Sequence, residues 1–281
     1  MIYLILSILS STAIFVVFKI LSKYNVNTLQ VIVVNYVIAF TTGIALYDET
    51  INLNIINADW FIVAIALGFM FIAIFNVLAL TAQKNGLSVA SVASKMSVII
   101  PVLFGLVIYN ESTGLQKLIG IILALIAVLL TSIKPKSDVV LTKSIYLPII
   151  LFLGSGIIDT SVNHFAPDGN KALFLAIIFG IAGIIGIIIL SYKSIVAKDH
   201  FKLKSIPFGI ILGIVNYASM HYILKALRVD GFESSSVFTI NNVAIVAIST
   251  LIGLFLFKEH ISVKNWLGII LALVSIGLVT L

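Results

Sequence analysis

The sequence predicts an all-α integral membrane protein with ten transmembrane helices arranged as two inverted five-helix repeats. Three observations lead to this prediction. Of the 281 residues, 61% are hydrophobic and 10% are charged, whereas a soluble domain carries about 25% charged residues. Apolar runs of roughly 20 residues, the length that crosses a bilayer, follow one another along the whole chain. Finally, a sequence pattern near residue 111 recurs near residue 259.

Ten helical spans are predicted in chain order. They are helices because lipid cannot satisfy free backbone groups, and because the runs are apolar on every face instead of alternating. Short segments rich in Gly, Asn, Asp and Pro separate several of them, which is typical of turns. The spans lie near residues 2–20, 28–47, 60–82, 87–109, 116–133, 144–164, 171–192, 206–227, 233–257 and 262–281.

The remaining composition excludes several functional classes. The net charge of +6 comes mainly from lysines between apolar runs, so it indicates membrane topology and not nucleic-acid binding. There are no cysteines, which excludes disulfides and thiolate chemistry. The first run starts apolar at Ile2 and lacks a basic flank and a small-residue cleavage site, so we expect a retained span. Motifs of hydrolases, metalloenzymes and P-loop proteins are missing, so we expect no enzyme activity, no cofactor and no metal.

Basic residues predict how the chain crosses the membrane. Most lie in loops after odd-numbered spans, while the loops after even-numbered spans carry only Lys117, Lys171, Lys225 and Arg228. By the positive-inside rule, this distribution favours both termini outside.

The recurring pattern predicts an internal repeat. Glu111 is followed nine residues later by Gly120 in Gly-Ile-Ile-Leu-Ala-Leu, and Glu259 is followed in the same way by Gly268. Because each unit has five spans, the second copy would enter the membrane in the opposite sense, a construction used by many secondary transporters. The predicted division is a first repeat at 1–133, a linker at 134–143 and a second repeat at 144–281.

This arrangement resembles the drug/metabolite transporter superfamily, and in particular its EamA-type ten-span members. Further similarities are Phe15-Val-Val-Phe-Lys19, Val162-Asn163-His164-Phe165 and Pro101 in the fourth span. The resemblance implies secondary transport, and it implies termini in the cytoplasm. That orientation is opposite to the one favoured by the basic residues, so both orientations remain open.

Lys95 is the first candidate binding residue, because an ionisable side chain inside a span is costly and indicates a functional site. It lies near the middle of span 4, on one helical stripe with Ser91. In the equivalent span 9, Thr239 and Asn242 lie on a matching stripe, so both stripes are predicted to line one cavity. Lys95 could bind a substrate carboxylate or phosphate. Alternatively, it could be a structural lysine paired with a buried acid or with backbone carbonyls.

Other polar residues extend this predicted site. Asp159 could couple transport to a proton, or it could neutralise a buried base. In span 8, Tyr217, His221, Lys225 and Arg228 share a stripe, and His221 corresponds to Asn76 of span 3. We expect Asn76 and His221 to bind substrate and Lys225 and Arg228 to anchor the helix at the interface. Candidates for cavity or gate residues are Lys19, Asn163, His164 and Pro101.

Glycines in two spans predict close helix packing. They are Gly180, Gly183 and Gly186 in span 7, and Gly209 and Gly213 in span 8. Asn35 in span 2 is expected to make an interhelical hydrogen bond.

The functional prediction is alternating-access transport of a small metabolite, an amino acid or another solute with an anionic group in view of Lys95, with export favoured over import. The alternatives are export of hydrophobic drugs and a passive channel or lipid scramblase. The expected partners are a small-molecule substrate and the lipid bilayer of the cell membrane, not nucleic acid, together with a homodimer through spans 5 and 10.

Overall fold

The computed structural model confirms the all-α part of the predicted fold class, and no strand occurs among the residues that it describes. Those residues are 1–24, 26–47, 53–84, 93–94, 97–108, 114–132, 146–167, 171–196, 200–229, 231, 233–256 and 263–280. The helices are α1 Ile2–Tyr24, α2 Thr28–Ala45, α3 Asp59–Lys84, α4 Ile99–Ile108, α5 Leu115–Ser132, α6 Tyr146–Phe165, α7 Lys171–Val196, α8 Ser205–Ala226, α9 Ser234–Phe255 and α10 Val263–Thr280, with a 3-10 turn at Leu53–Asn57.

Among the described residues, four helices are long and apolar enough to cross a membrane by length and composition: α2, most of α3, α7 and α8. Large apolar side chains are also highly exposed, with Ile62 at 69% and Ile184 at 61%. Such exposure along apolar helices is unfavourable in water and suits contact with lipid. The chain is therefore a multi-pass membrane protein, while the number of ten spans stays a prediction.

Several helix ends differ from the predicted spans, and α2 ends two residues early, at Ala45. The helices α1, α3 and α7 continue to Tyr24, Lys84 and Val196, a few residues beyond the apolar runs. Polar residues can continue a helix where the chain leaves the hydrocarbon, because long side chains reach the interface. Residues 87–92, 95–96 and 109 of span 4 lie outside the described part, and its described helix is α4.

The chain forms two compact units. Unit 1 comprises Met1–Ile8, Val77–Thr160 and Ala226–Leu281, and unit 2 comprises Leu9–Asn76 and Ser161–Lys225. Each unit draws on both predicted repeats, so the repeats are not the compact units. The linker at 134–143 lies outside the described residues, and the division into repeats stays a prediction.

In unit 2, α2 lies between glycine-bearing faces of α7 and α8. A Cβ at any of these glycines would lie within about 4 Å of an α2 atom, which confirms the predicted close packing. On α7, Gly180 faces Phe40, Gly183 faces Tyr36 and Gly186 faces Val33; on α8, Gly209 faces Val34 and Gly213 faces Ile38.

Gln30 joins the start of α2 to the start of α8. Its side chain is 1% exposed. The Oε1 atom accepts hydrogen bonds from the Lys202 amide at 2.9 Å and the Ser205 hydroxyl at 3.0 Å, and Nε2 donates to the His200 carbonyl at 3.1 Å. These bonds attach the segment before α8, and the first residue of α8, to α2. Asn27 caps α2 in turn through the amides of Leu29 and Gln30.

Aromatic side chains fill the interior of unit 2. The Tyr36 ring lies 5.5 Å from Phe75 and 6.0 Å from Phe179, between ring centroids. Its hydroxyl donates to the Phe71 carbonyl at 3.0 Å, so this buried polar group is satisfied. The cluster gives α2, α3 and α7 a common core.

Unit 1 is built around α9, which packs against α4, α5 and α10, and around the pair α5 and α10. Ala127, Val243 and Leu271 form an apolar cluster at the meeting of α5, α9 and α10. Gly156 of α6 lies against Ile100 of α4.

Candidate functional site

The predicted binding stripe of span 9 lies in unit 1, on α9. Thr239 and Asn242 are both buried. The Thr239 hydroxyl donates to the Ser235 carbonyl at 2.7 Å, and the Asn242 amide donates to the Phe238 carbonyl at 3.0 Å. Both bonds lie within their own helix. Lys95 and Ser91, the matching residues of span 4, lie outside the described residues, so the shared cavity stays a prediction.

The remaining candidates of unit 1 lie on α6 and α4. Asp159 is half-buried on α6. Pro101 is buried two residues after the start of α4 at Ile99, and Ser97 and Val98 before it form a turn. Proline suits a first helical turn because its missing amide hydrogen is not needed there. Their proposed proton-coupling and gating roles stay predictions.

Five candidates belong to unit 2. Asn163 is buried near the end of α6, while His164 is exposed and its ring contacts Phe165. Asn76 is half-buried on α3, where its amide donates to the Ile72 carbonyl at 2.7 Å. Lys19 lies on α1, but its side chain is outside the described part. The fifth candidate is His221, which stacks on Tyr217 of the same helix.

His221 and Tyr217 form a stacked pair on α8. They are four residues apart, so they lie on the same helix face, with ring centroids 5.6 Å apart and an interplanar angle of 22°. Tyr217 is 1% exposed and His221 is half-buried. Within the part of the chain that the structure describes, the buried Tyr217 hydroxyl and the buried His221 Nδ1 have no hydrogen-bond partner. A buried polar atom without a partner is costly, so these two atoms need an explanation.

Aromatic rings and close backbone packing hold this pair. The Tyr217 ring lies against α2 at Gly43, where a Cβ would come within 2.9 Å of the ring. Phe179 of α7 contacts Tyr217 at a centroid distance of 6.2 Å, and Tyr222 lies 5.5 Å from His221. The position of Tyr217 therefore depends on the absence of a side chain at residue 43.

Basic residues flank the pair. Lys171 at the start of α7 and Lys225 near the end of α8 both act electrostatically on His221. Lys225 and Arg228 are exposed, as expected of interfacial residues. The stripe therefore runs from an exposed cation, through a half-buried imidazole, to a buried hydroxyl.

A second polar pair shows that unit 2 can satisfy its interior polar groups. The side-chain amides of Asn35 on α2 and Asn216 on α8 lie 3.1 Å apart, at hydrogen-bonding distance. This confirms the interhelical bond expected of Asn35. By contrast, the Tyr217 hydroxyl and the His221 Nδ1 on the same helix have no hydrogen-bond partner among the described residues.

Two residues of unit 2 were not predicted as important. Gln30 gave no signal beyond being polar at the start of a span, where exposure is normal. Tyr217 was visible as a member of the span 8 stripe, but sequence cannot show that its hydroxyl is buried without a partner.

Comparisons with known proteins identify a relative in sequence and a similar solved structure. An uncharacterized protein of Haemophilus influenzae is 29% identical over 284 residues, which cover 97% of this chain and 95% of the relative. A solved crystal structure is similar with a TM-score of 0.71 and 12% identity, covering 99% of this chain and 98% of that one. At this identity the likeness concerns the fold alone.

The sequence model of the EamA-like transporter family matches residues 1–133. This confirms the resemblance to the drug/metabolite transporter superfamily. Members of the EamA-like family are transporters and not enzymes. Over residues 1–133, just under half of its 281 residues, the chain is therefore similar to the EamA-like transporter family.

Proposed function

We propose that this protein is a secondary transporter that moves a small metabolite across the cell membrane by alternating access, with export as the favoured direction. The observation that carries the proposal is the family match over residues 1–133. These are the residues predicted from the sequence as the first five-span repeat. A transporter built from two such repeats accounts for a second half of similar length and helical content.

Helix packing supports the inverted repeat. Within unit 2, α2 packs against α7; within unit 1, α4 packs against α9 and α5 against α10. Each pair joins a helix to its equivalent five spans later in the chain. Helices near a pseudo-two-fold axis meet their own equivalents, so this pairing is the one that the predicted symmetry requires.

Alternating access needs parts of the protein that can move as bodies. The two compact units are candidates for these parts, and each takes helices from both predicted repeats. The dense glycine packing around α2 would keep unit 2 rigid during such a motion. The predicted homodimer through spans 5 and 10 is retained as a proposal.

Transport by purified protein in proteoliposomes tests the proposed function. Uptake of radiolabelled amino acids and small organic acids would be measured against protein-free liposomes. A carrier gives uptake that saturates with solute concentration, because each transport cycle occupies a site. A linear dependence on concentration for every permeating solute would indicate a channel, and no uptake above the protein-free level would reject transport of the tested solutes.

Replacing Lys95 by alanine tests the predicted cation of span 4. If Lys95 binds an anionic group, kcat/KM for anionic substrates should fall at least about tenfold, the effect of losing one charge-assisted hydrogen bond. Neutral substrates should be affected much less. Lys264→Ala, which removes an exposed lysine at the start of α10, is the matched control. Unchanged transport of every accepted substrate would remove Lys95 from the site.

A further inference from the structure

The Tyr217 hydroxyl and the His221 Nδ1 atom place two polar groups on one face of α8, a single turn apart. Both atoms are buried, and among the described residues neither has a hydrogen-bond partner. In an apolar interior, such atoms cost free energy unless something binds them. Neighbouring groups restrict the rotation of both rings: Gly43 and Phe179 lie against Tyr217, while Tyr217 and Tyr222 lie against His221.

The charges around this pair favour an anion as the missing partner. Lys171 and Lys225 act on His221 from the ends of two neighbouring helices. Lys225 is exposed, His221 is half-buried and Tyr217 is buried. An anion approaching along this stripe would meet positive charge first and hydrogen-bond donors afterwards.

The number of donors favours a carboxylate. A phenol hydroxyl supplies one donor, and an imidazole supplies a second when Nδ1 carries the proton. Two donors match the two oxygens of a carboxylate, whereas a phosphate offers three or four oxygens and normally recruits more donors. The half-buried Tyr222 ring, whose centroid lies 5.5 Å from that of His221, adds an aromatic surface that suits the body of a small organic acid.

We infer that Tyr217 and His221 form a binding subsite for the carboxylate of the transported solute, with Lys171 and Lys225 attracting it. This inference rests on the proposed function, because the subsite gains its purpose from a solute that crosses the membrane. It adds to that function a substrate class and a place in unit 2 that is independent of Lys95.

Equilibrium binding measured by NMR tests the subsite without requiring transport. The full-length protein would be labelled with ¹⁵N-histidine in lipid nanodiscs, and the His221 signals assigned with a His221→Gln variant. Benzoate is the probe, and benzamide, which has the same shape without the negative charge, is its control. Benzoate should shift the His221 signals to saturation, while benzamide at the same concentrations should leave them nearly unchanged.

Tyr217→Phe removes only the hydroxyl and keeps the packed ring. In this variant the benzoate Kd should rise at least about tenfold. Tyr192→Phe, the same change at an exposed residue of α7, should leave the Kd unchanged. No saturable benzoate shift, an equal response to benzamide, or an unaltered Kd in Tyr217→Phe would overturn the inference and leave internal water as the partner.

The two proposals can fail separately. Selective benzoate binding by a protein that moves no solute in proteoliposomes would keep the subsite and reject the transport function. Saturable transport by a protein whose His221 signals ignore benzoate would keep the transport function and reject the subsite.

Discussion

Replacing Gln30 by leucine is expected to lower the free energy of unfolding by about 2 kcal/mol, since a buried polar group left without a partner, here the Ser205 hydroxyl, costs about 1–3 kcal/mol. Leucine has a similar volume but forms none of the three hydrogen bonds. The Lys202 amide and the His200 carbonyl would lose their partner on α2. The Ser205 hydroxyl would lose the same acceptor, so the start of α8 would loosen.

Thermal unfolding of the purified protein measures this effect. Gln116→Leu is the matched control, because Gln116 is exposed on α5 and the same change there should alter the midpoint temperature very little. A Gln30→Leu protein whose midpoint equals that of Gln116→Leu would show that the connection between α2 and α8 contributes nothing to stability.

Replacing Gly209 by alanine is expected to lower the free energy of unfolding by about 2 kcal/mol, the usual scale of overpacking. The new Cβ would overlap Val34 Cβ and lie 3.1 Å from the Val31 carbonyl oxygen. Backbone on α2 cannot yield as a flexible side chain can, so α8 would have to move away from α2.

Gly183→Ala provides the matched control on the other face of α2. There the nearest atom is Tyr36 Cβ, 3.6 Å from the new Cβ, which is an ordinary contact. Removing a glycine from a helix should then raise stability by roughly 0.5–1 kcal/mol. The two alanine variants should therefore shift the unfolding midpoint in opposite directions. Shifts of the same sign and size would contradict the described packing of α7 and α8 on α2.

Much of the fold could be predicted because it depends on local patterns. Long apolar runs require helices in lipid, whatever their partners. Glycines at regular spacing in spans 7 and 8 predicted close approach, and the structure identifies α2 as the helix that approaches them. Asn35 could be predicted to pair because a lone amide in an apolar run needs a partner, although the sequence did not identify Asn216.

The rest depends on contacts between residues distant in the chain. Gln30 bonds to residues 170 to 175 positions away, and its own neighbours give no sign of this. The stripe of Tyr217 and His221 was readable from helical spacing. Only the structure, in which α2 and α7 pack around Tyr217, shows that two polar atoms of this stripe lack hydrogen-bond partners among the described residues. Lys95 lies outside the described residues, so its predicted role rests on the sequence alone.

Substrate counterflow in proteoliposomes tests alternating access most directly. Vesicles would be loaded with an excess of an unlabelled substrate, and the same substrate in labelled form added outside at low concentration. A carrier of the proposed kind should accumulate label transiently above its equilibrium level, because each returning site exchanges unlabelled for labelled solute. Label that rises only to the equilibrium level, at a rate independent of the internal load, would contradict alternating access and indicate a passive pore.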